Sequence, residues 1–343
     1  MTLLLKNNEN KYILKHKIGN GATCECYVGE KINEKKSEIY AIKIFEQKFF
    51  EFYSNEVSFL SKLNENKNII KLYEYGQGIL TPSLTEDNNN NNDDNNNNNN
   101  NNNDNSNEKK VYYEIMEYAN NGELKDYVND TSSRIPENIS AKLFMRITKA
   151  VKYLHENDIA HCDLKPENIL LDKNFNPKIN DFGFSQKFDG KNGNFLLCKR
   201  SRSPIYSSPD VRLASTKGYN GIKNDIFSLG VLLFVITIGD FPFESATYSD
   251  EKYKFIIKGR FTKYWEFFNY INISDEFKDL INNLISLNPS KRLTIEEILK
   301  HPWLVKQLGE SYNKLNNDIS IKDDENYEFV DKEVYDELST RKV

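Results

Sequence analysis

Two short polar runs constrain this chain more than any other feature of its sequence. The first spans residues 161–168 and reads HCDLKPEN, and the second spans residues 181–183 and reads DFG. Ile169 to Ile179 between them has the pattern of a short hairpin, so the two runs fall on neighbouring loops. Two carboxylates, an amide and a lysine suit phosphoryl transfer, because the oxygens bind Mg²⁺ and the lysine stabilises charge on a moving phosphate.

Length and composition limit the class of protein. A chain of 343 residues is long enough for two or three domains or for one large two-lobed unit. The net charge of -5 lacks the basic bias of a nucleic-acid-binding protein. Met1 to Asn10 has no long apolar core and does not resemble a signal peptide, and Ile226 to Ile238 is too short to cross a bilayer. We therefore expect neither a nucleic-acid nor a membrane partner. The 4 scattered cysteines favour a reducing cytoplasmic or nuclear location.

Apolar periodicity predicts a strand-rich first third and a helix-rich remainder. Tyr12 to Ile44 alternates as an antiparallel sheet does, Phe50 to Asn64 has helical spacing, and Ile69 to Tyr75 and Val111 to Tyr118 are predicted strands. From Leu124 onward the pattern is helical. The predicted helices are Ile139 to Asn157, Asp225 to Ile238, Glu276 to Leu287 and Thr294 to Leu299. The expected fold class is α+β, with a small antiparallel-sheet lobe and a larger, mainly helical lobe.

Two segments stand apart from this pattern. Residues from about 79 to 108 are rich in asparagine, and we expect a disordered insert. It is either a tolerated expansion of a hairpin loop, which costs about 2 kcal/mol in closure entropy, or a prion-like assembly element. The tail, residues 305–343, is acidic and polar from about Glu310. Its sequence leaves two alternatives open: a disordered segment or a strap on the larger lobe.

From Tyr12 to Trp303 the chain resembles the eukaryotic protein kinases. The two polar runs resemble the catalytic loop and the magnesium-binding turn of that family, and 301–303 (HPW) and 241–243 (FPF) resemble its calcium/calmodulin-dependent kinase-like group. The resemblance implies an N-terminal extension at 1–11 and a kinase domain at 12–304. It places the small lobe at about 12–118 and the large lobe at about 119–304.

The resemblance also implies a role for individual residues in transferring the ATP γ-phosphate to serine or threonine of protein substrates. Asp163 and Lys165 are the implied catalytic residues, and Asn168 and Asp181 are the implied Mg²⁺ ligands. Lys43 would contact the ATP phosphates, and Glu56 matches its helix partner better than the nearby Glu51. The implied nucleotide-binding residues are Ile18, Gly19, Asn20, Gly21, Cys26, Ala41, Lys43, Glu56, Met116, Glu117, Ala119, Glu123 and Leu170.

Several positions depart from the family pattern. Cys24 replaces the third loop glycine, and Asp210 replaces a glutamate that would pair with Arg292. Cys162 stands where most regulated relatives have the arginine that binds a phosphorylated activation loop, and the usual phosphate acceptor position is Lys199. These departures predict a kinase without the usual phosphorylation switch. The alternatives are a pseudokinase that acts as a scaffold and, less favoured, a small-molecule kinase.

Overall fold

The computed structural model describes residues 3–7, 9–32, 38–82, 108–128, 134–188, 196–197, 203–213, 218–317 and 330–341. The chain divides into two compact units. The first unit comprises Met1–Ser58 and Lys71–Tyr118, and the second comprises Phe59–Ile70 and Ala119–Val343. Residues 59–70, expected in the small lobe, thus group with the second unit.

The first unit is a closed six-stranded barrel with one helix. Its strands follow the order β1-β2-β3-β4-β6-β5, and all neighbouring pairs are antiparallel. The elements are β1 (Leu3–Lys6), β2 (Lys11–Asn20), β3 (Cys24–Lys31), β4 (Ile39–Glu46), α1 (Phe50–Leu60), β5 (Leu72–Pro82) and β6 (Lys109–Glu117). The strand β4 is almost continuously apolar because both of its faces are buried. Ile42 and Ile44 lie in the barrel core, whereas Phe45 belongs to a buried cluster with Tyr53 and Val57 of α1.

The first strand corrects the expected N-terminal extension. Leu3 pairs with Leu14 of β2 and with Pro82 of β5, so β1 closes the barrel. Leu5 is fully buried in the barrel core. Residues within 1–11 are therefore an integral strand of the first unit, and the pairing with β5 joins positions that local periodicity cannot relate.

The predicted asparagine-rich insert is shorter at its beginning than expected. Ile79 to Pro82 belong to β5, where Ile79 pairs with Lys110 of β6. Residues 83–107 lie outside the described part of the chain.

The second unit is mainly helical, which confirms the predicted fold class. Its helices are α2 (Lys125–Val128), α3 (Glu137–Glu156), α4 (Pro209–Leu213), α5 (Gly221–Ile238), α6 (Tyr253–Ile257), α7 (Phe261–Trp265), α8 (Asp275–Leu284), α9 (Ile295–Leu299), α10 (Pro302–Leu308), α11 (Ser311–Asn317) and α12 (Lys332–Ser339). Its short strands are β7 (Ile159–Ala160), β8 (Ile169–Leu171), β9 (Pro177–Ile179), β10 (Gln186–Lys187), β11 (Leu196–Leu197) and β12 (Tyr219–Asn220). Single 3-10 turns lie at Gln47–Phe49, Pro166–Asn168, Glu266–Phe268 and Pro289–Lys291.

The helix α5 forms the centre of this unit. It begins after the Asn220 cap and ends at Gly239, whose φ of 75° is in the left-handed region. Asp225 therefore lies in the second turn and does not open the helix as expected. Gly230 allows close packing, because a Cβ there would lie 2.6 Å from the Leu284 Cβ of α8.

The length of α5 also corrects an expectation. The helix has 18 residues with a mean hydropathy of 1.7, which by length and composition alone would let it cross a membrane. Its burial argues for a core helix instead, since 89% of the segment is enclosed by the rest of the protein. The burial of α5, and not the shortness of the stretch from Ile226 to Ile238, is therefore what supports a core helix.

Candidate active site

Asp163 and Lys165 meet at the centre of the candidate active site, in the second unit. The Asp163 side chain is almost fully buried, and its Oδ2 lies 2.7 Å from the Lys165 Nζ. The same ammonium group donates a hydrogen bond of 2.9 Å to the Ser203 Oγ. Lys165 thus bridges the loop at 161–168 to the segment that begins at Ser203.

Two opposed effects set the ionisation of Asp163. Burial, the largest single effect, would raise the pKa of this carboxyl, but Lys165, His161 and Ser203 together outweigh it and hold the pKa below its ordinary value. Asp163 is therefore a carboxylate at neutral pH. A carboxylate in this position can accept a hydrogen bond from a hydroxyl group.

Asn168 is oriented by the same loop. Its Nδ2 donates to the Asp163 backbone carbonyl at 2.8 Å and to the Asp163 Oδ2 at 3.1 Å. The amide nitrogen is thus committed to Asp163, which leaves the amide oxygen as the atom that suits a cation.

A hairpin brings Asp181 close to Asn168 along the backbone. Strand β8 begins directly after Asn168, β9 ends two residues before Asp181, and Ile169 pairs with Ile179. The Asn180 N–H also donates to the Asn168 carbonyl at 2.9 Å. Asp181 is half-buried and has a φ of 62°, which is uncommon for a non-glycine residue and is typical of functional loops.

The Asp225 carboxylate fixes the backbone of the loop at 161–168 through hydrogen bonds. Its buried carboxylate accepts hydrogen bonds of 2.9 Å from the backbone N–H groups of His161 and Cys162, and it lies 2.9 Å from the His155 Nε2. Cys162 has a φ of 65°. A left-handed residue of this kind costs about 1–3 kcal/mol, which the two charge-assisted hydrogen bonds offset.

The side chain of Cys162 lies in an apolar cluster. Its neighbours are Ala160, Phe188, Val211 and Tyr219, all buried. Burial, followed by the charge of Asp225, raises the pKa of the Cys162 thiol well above its ordinary value. The thiol is therefore a neutral packing group. It stands at the position where most regulated relatives have an arginine.

Asp210 reaches Arg292 in spite of its short side chain. The Arg292 guanidinium donates to both Asp210 oxygens, at 2.7 and 3.2 Å, and also to the Ser286 carbonyl at 2.9 Å. Residues 198–202, which include the predicted Lys199 position, lie outside the described part of the chain.

In the first unit, the structure brings Lys43 and Glu56 together. The Lys43 Nζ on β4 lies 2.5 Å from the Glu56 Oε1 on α1, and both side chains are buried. Glu51, the competing candidate, is exposed. The geometry therefore identifies Glu56 as the partner of Lys43, and not Glu51, which lies five positions earlier on the same helix.

The predicted glycine loop is the tight connection between β2 and β3. The Gly21 N–H donates to the Cys24 carbonyl at 2.9 Å, Asn20 pairs with Glu25, and Gly19 pairs with Cys26. Ile18 lies at the end of β2 and is 45% exposed. The loop residues Gly19 to Gly21 thus form a hairpin end with accessible backbone.

The remaining predicted nucleotide residues lie on two segments. In the first unit, Ala41 of β4 pairs with Met116 of β6, both are buried, and Glu117 ends β6. In the second unit, Ala119 is buried, and Glu123 forms a backbone bridge with Leu170. Burial, followed by the charge of Asp126, raises the pKa of Glu123 above its ordinary value.

Sequence reasoning missed a set of buried charges in the second unit. Lys142 and Arg146 of α3 are both buried against Asp331 of the tail. The available signal was two cations one turn apart among the apolar residues of the first half of α3, because buried cations at such positions require an acidic partner.

Sequence comparison places this geometry in a family. The profile described as "Protein kinase domain" matches residues 12–304. The chain belongs to the protein kinase domain family. This kinase domain is 40% identical over 193 residues to Serine/threonine-protein kinase kin-29 of Caenorhabditis elegans, across 56% of the chain and 22% of that protein.

Two further relatives are similar to this kinase domain. CBL-interacting serine/threonine-protein kinase 20 of Arabidopsis thaliana is 37% identical, across 57% of the chain and 42% of that protein. Probable serine/threonine-protein kinase MARK-B of Dictyostelium discoideum is 31% identical, across 90% of the chain and 38% of that protein. These similarities confirm the predicted placement in the calcium/calmodulin-dependent kinase-like group. The chain spans less than half the length of each of these three relatives.

Proposed function

We propose that this protein is a serine/threonine protein kinase that transfers the ATP γ-phosphate to hydroxyl groups of protein substrates. The observation that carries the proposal is the contact of Lys165 with both Asp163 and Ser203. A buried carboxylate that orients a hydroxyl, beside a lysine that stabilises phosphate charge, is what phosphoryl transfer requires.

The proposed division of work follows from the contacts. Asp163 would accept the hydrogen bond of the substrate hydroxyl, because Lys165 keeps it ionised. Lys165 would stabilise charge on the transferred group from the same side. Ser203, which precedes Pro204, would align the peptide segment, and this favours a serine or threonine acceptor.

The donor set at the end of the hairpin fits magnesium. The Asn168 amide oxygen and the Asp181 carboxylate are hard oxygen ligands, and the Asn168 nitrogen is already bound to Asp163. Bound Mg²⁺ would neutralise negative charge on the phosphates. Asn168 and Asp181 would hold the ion, and the Asn180–Asn168 backbone hydrogen bond keeps their two segments in register.

The first unit would supply the contacts to the nucleotide phosphates. Glu56 fixes the Lys43 ammonium, which is the group that would contact the α- and β-phosphates. The proposed adenine and ribose contacts are those given by the family resemblance, at Met116, Glu117, Ala119, Glu123 and Leu170.

We also infer that the kinase is active without phosphorylation of its activation segment. A buried arginine beside Asp163 would need an added phosphate for compensation, whereas Cys162 is neutral and packs among apolar side chains. The segment from Phe188 to Val211 is thus anchored at both ends by apolar contacts that exist without phosphate.

The second candidate is a pseudokinase scaffold, which the departures of Cys24, Cys162 and Asp210 from the family pattern suggest by sequence alone. The contacts of Asp210 in the structure argue the other way. Asp210 weakens this alternative, because it forms the two-pronged contact with Arg292 despite its length. The buried Lys43–Glu56 pair weakens it further, since a scaffold has no need for this pair.

A transfer assay separates the two candidates. Purified chain is incubated with γ-labelled ATP, Mg²⁺ and a mixture of serine and threonine peptides, beside the Asp163→Asn variant. We expect transfer by the intact chain and a loss of about 100-fold or more in the variant. The matched control is Asp275→Asn, which makes the same chemical change at a side chain that is 96% exposed. Nucleotide binding without transfer in the intact chain would instead support the scaffold.

A further inference from the structure

We propose that the second unit carries a docking groove for short helices with an aspartate cap, and that a partner protein's helix displaces the chain's own C-terminal helix from it. The groove, here called the tail groove, is formed by Tyr127 of α2, Lys142 and Arg146 of α3, and Phe175 and Asn176 between β8 and β9. In the structure, α12 occupies it.

Charge defines one end of the tail groove. The Lys142 Nζ lies 3.0 Å from the Asp331 Oδ1, and the Arg146 Nη2 lies 3.3 Å from the Asp331 Oδ2. All three side chains are at most 9% exposed. The Lys142 Nζ also lies 3.0 Å from the Glu333 Oε2, but the Glu333 side chain is 64% exposed, so Asp331 supplies the buried carboxylate that both cations share. Two buried cations on one buried carboxylate select strongly for an anionic ligand, because a neutral ligand would leave them poorly compensated.

The same carboxylate starts the helix. Asp331 is the N-cap of α12, and its side chain accepts a hydrogen bond from the Val334 N–H. Formation of the helix and recognition of its charge therefore depend on one residue. A ligand of this groove must present an aspartate at a helix N-terminus, and not merely an acidic surface.

Apolar and aromatic contacts define the rest of the groove. Val334 and Leu338, three and seven residues after the cap, are completely buried. The ring of Tyr335 meets the ring of Phe175 edge-on at 5.3 Å, and Phe175 in turn meets Tyr127 at 5.9 Å. The ligand pattern is thus an aspartate cap, an aliphatic residue at +3, an aromatic residue at +4 and an aliphatic residue at +7.

The helix α12 is suited to exchange. It has eight residues, and isolated helices shorter than about 12–15 residues are marginal in water, so its structure depends on the groove. Only two of its apolar side chains are fully buried. A partner helix with the same four features would make the same contacts and would compete by mass action.

The β8–β9 hairpin connects the tail groove to the candidate active site. Phe175 and Asn176 form the closed end of the β8–β9 hairpin, and Asn176 accepts a hydrogen bond of 2.7 Å from Arg146. The open end of the same hairpin carries Asn168 and leads to Asp181. The docking proposal itself does not rest on kinase activity.

Peptide binding to the full chain tests the proposal. The probe is a fluorescein-labelled peptide with the sequence of residues 330–341, and binding is followed by fluorescence anisotropy. We expect it to bind the Asp331→Asn chain at least about tenfold more tightly than the intact chain, whose groove is filled by its own tail. The Leu338→Ser chain, which weakens the tail without altering its charges, should also bind more tightly than the intact chain.

Two matched controls isolate the role of the buried carboxylate. Asp336→Asn makes the same aspartate-to-asparagine change on the same helix, but at an exposed side chain, and this chain should behave as the intact one. A peptide carrying Asp331→Asn should not bind the open chain.

Equal affinity for intact and Asp331→Asn chains, or equal binding of both peptides, would overturn the proposal. A concentration-dependent dimer whose tail loses its protection from hydrogen exchange on dilution would also overturn it, since the groove would then serve copies of this chain.

Discussion

Replacing Lys43 with methionine should separate the structural role of the Lys43–Glu56 pair from its proposed catalytic role. Methionine is close to lysine in length and apolar volume, so the change removes the charge with little effect on packing. It leaves the Glu56 carboxylate, which is only 3% exposed, without its partner at 2.5 Å. Glu51→Gln, a change at an exposed carboxylate of the same helix, provides the comparison.

The expected loss of stability follows from the cost of a buried charge. Removing one partner of a buried ion pair typically costs about 3–5 kcal/mol. Protonation of the carboxyl sets an upper limit on this loss of stability. Protonating a carboxyl of ordinary pKa about 4.3 at pH 7 costs about 3.7 kcal/mol. That limit falls by about 1.4 kcal/mol for each pH unit below 7, since the folded variant then binds the proton more readily. We expect Lys43→Met to lose about 3–4 kcal/mol at pH 7 and about 1 kcal/mol at pH 5.

Urea unfolding at pH 5, 6 and 7 measures this loss. Circular dichroism is the suitable signal, because both tryptophans, Trp265 and Trp303, lie in the second unit. Lys43→Met with Glu56→Gln should regain most of the stability, whereas Lys43→Met with Glu51→Gln should not. Phosphoryl transfer should remain lost in both double variants. A loss of stability that does not change with pH would refute the reasoning.

Four further outcomes are expected. Asp181→Ala should lower the transfer rate by about 100-fold, or about 3 kcal/mol in the barrier, and near-normal rates in a folded variant would remove Asp181 from the site. Because Cys162 is neutral and packed, phosphatase treatment should leave activity unchanged, and a loss restored by phosphate on the activation segment would contradict this. A peptide array should show only a weak preference for arginine before the acceptor, because Val235 stands where the family resemblance places the glutamate of basophilic relatives, and Glu123 and Glu167 are the carboxylates left to attract basic side chains. A strong dependence on two arginines before the acceptor would contradict this. Deletion of residues 88–103 should change the melting temperature little, because these residues have no apolar side chains and shortening the loop changes its closure entropy by only about 1 kcal/mol. A loss of several kcal/mol in stability would contradict this.

The sequence by itself determined the fold class and predicted the candidate site. Asp163, Lys165 and Asn168 lie within one loop, and the short hairpin that follows leads directly to Asp181. Local chain geometry is therefore enough to bring these groups together. Strand and helix periodicities likewise depend on neighbouring residues. They predicted a sheet-rich first unit and a helical second unit, with helix ends in error by a few residues.

Only the tertiary structure decided which distant residues meet. The family resemblance already favoured Glu56 over Glu51 on the same helix, but only the fold shows that Glu56 is buried against Lys43 while Glu51 is exposed. The strand β1 joins the barrel because β5, more than 70 positions away, needs a neighbour on its open edge. The tail could not be assigned because Asp331 and Lys142 are separated by 189 positions. Contacts over such distances depend on the whole packed chain, because the desolvation of a charge is compensated only where the fold brings its counter-charge.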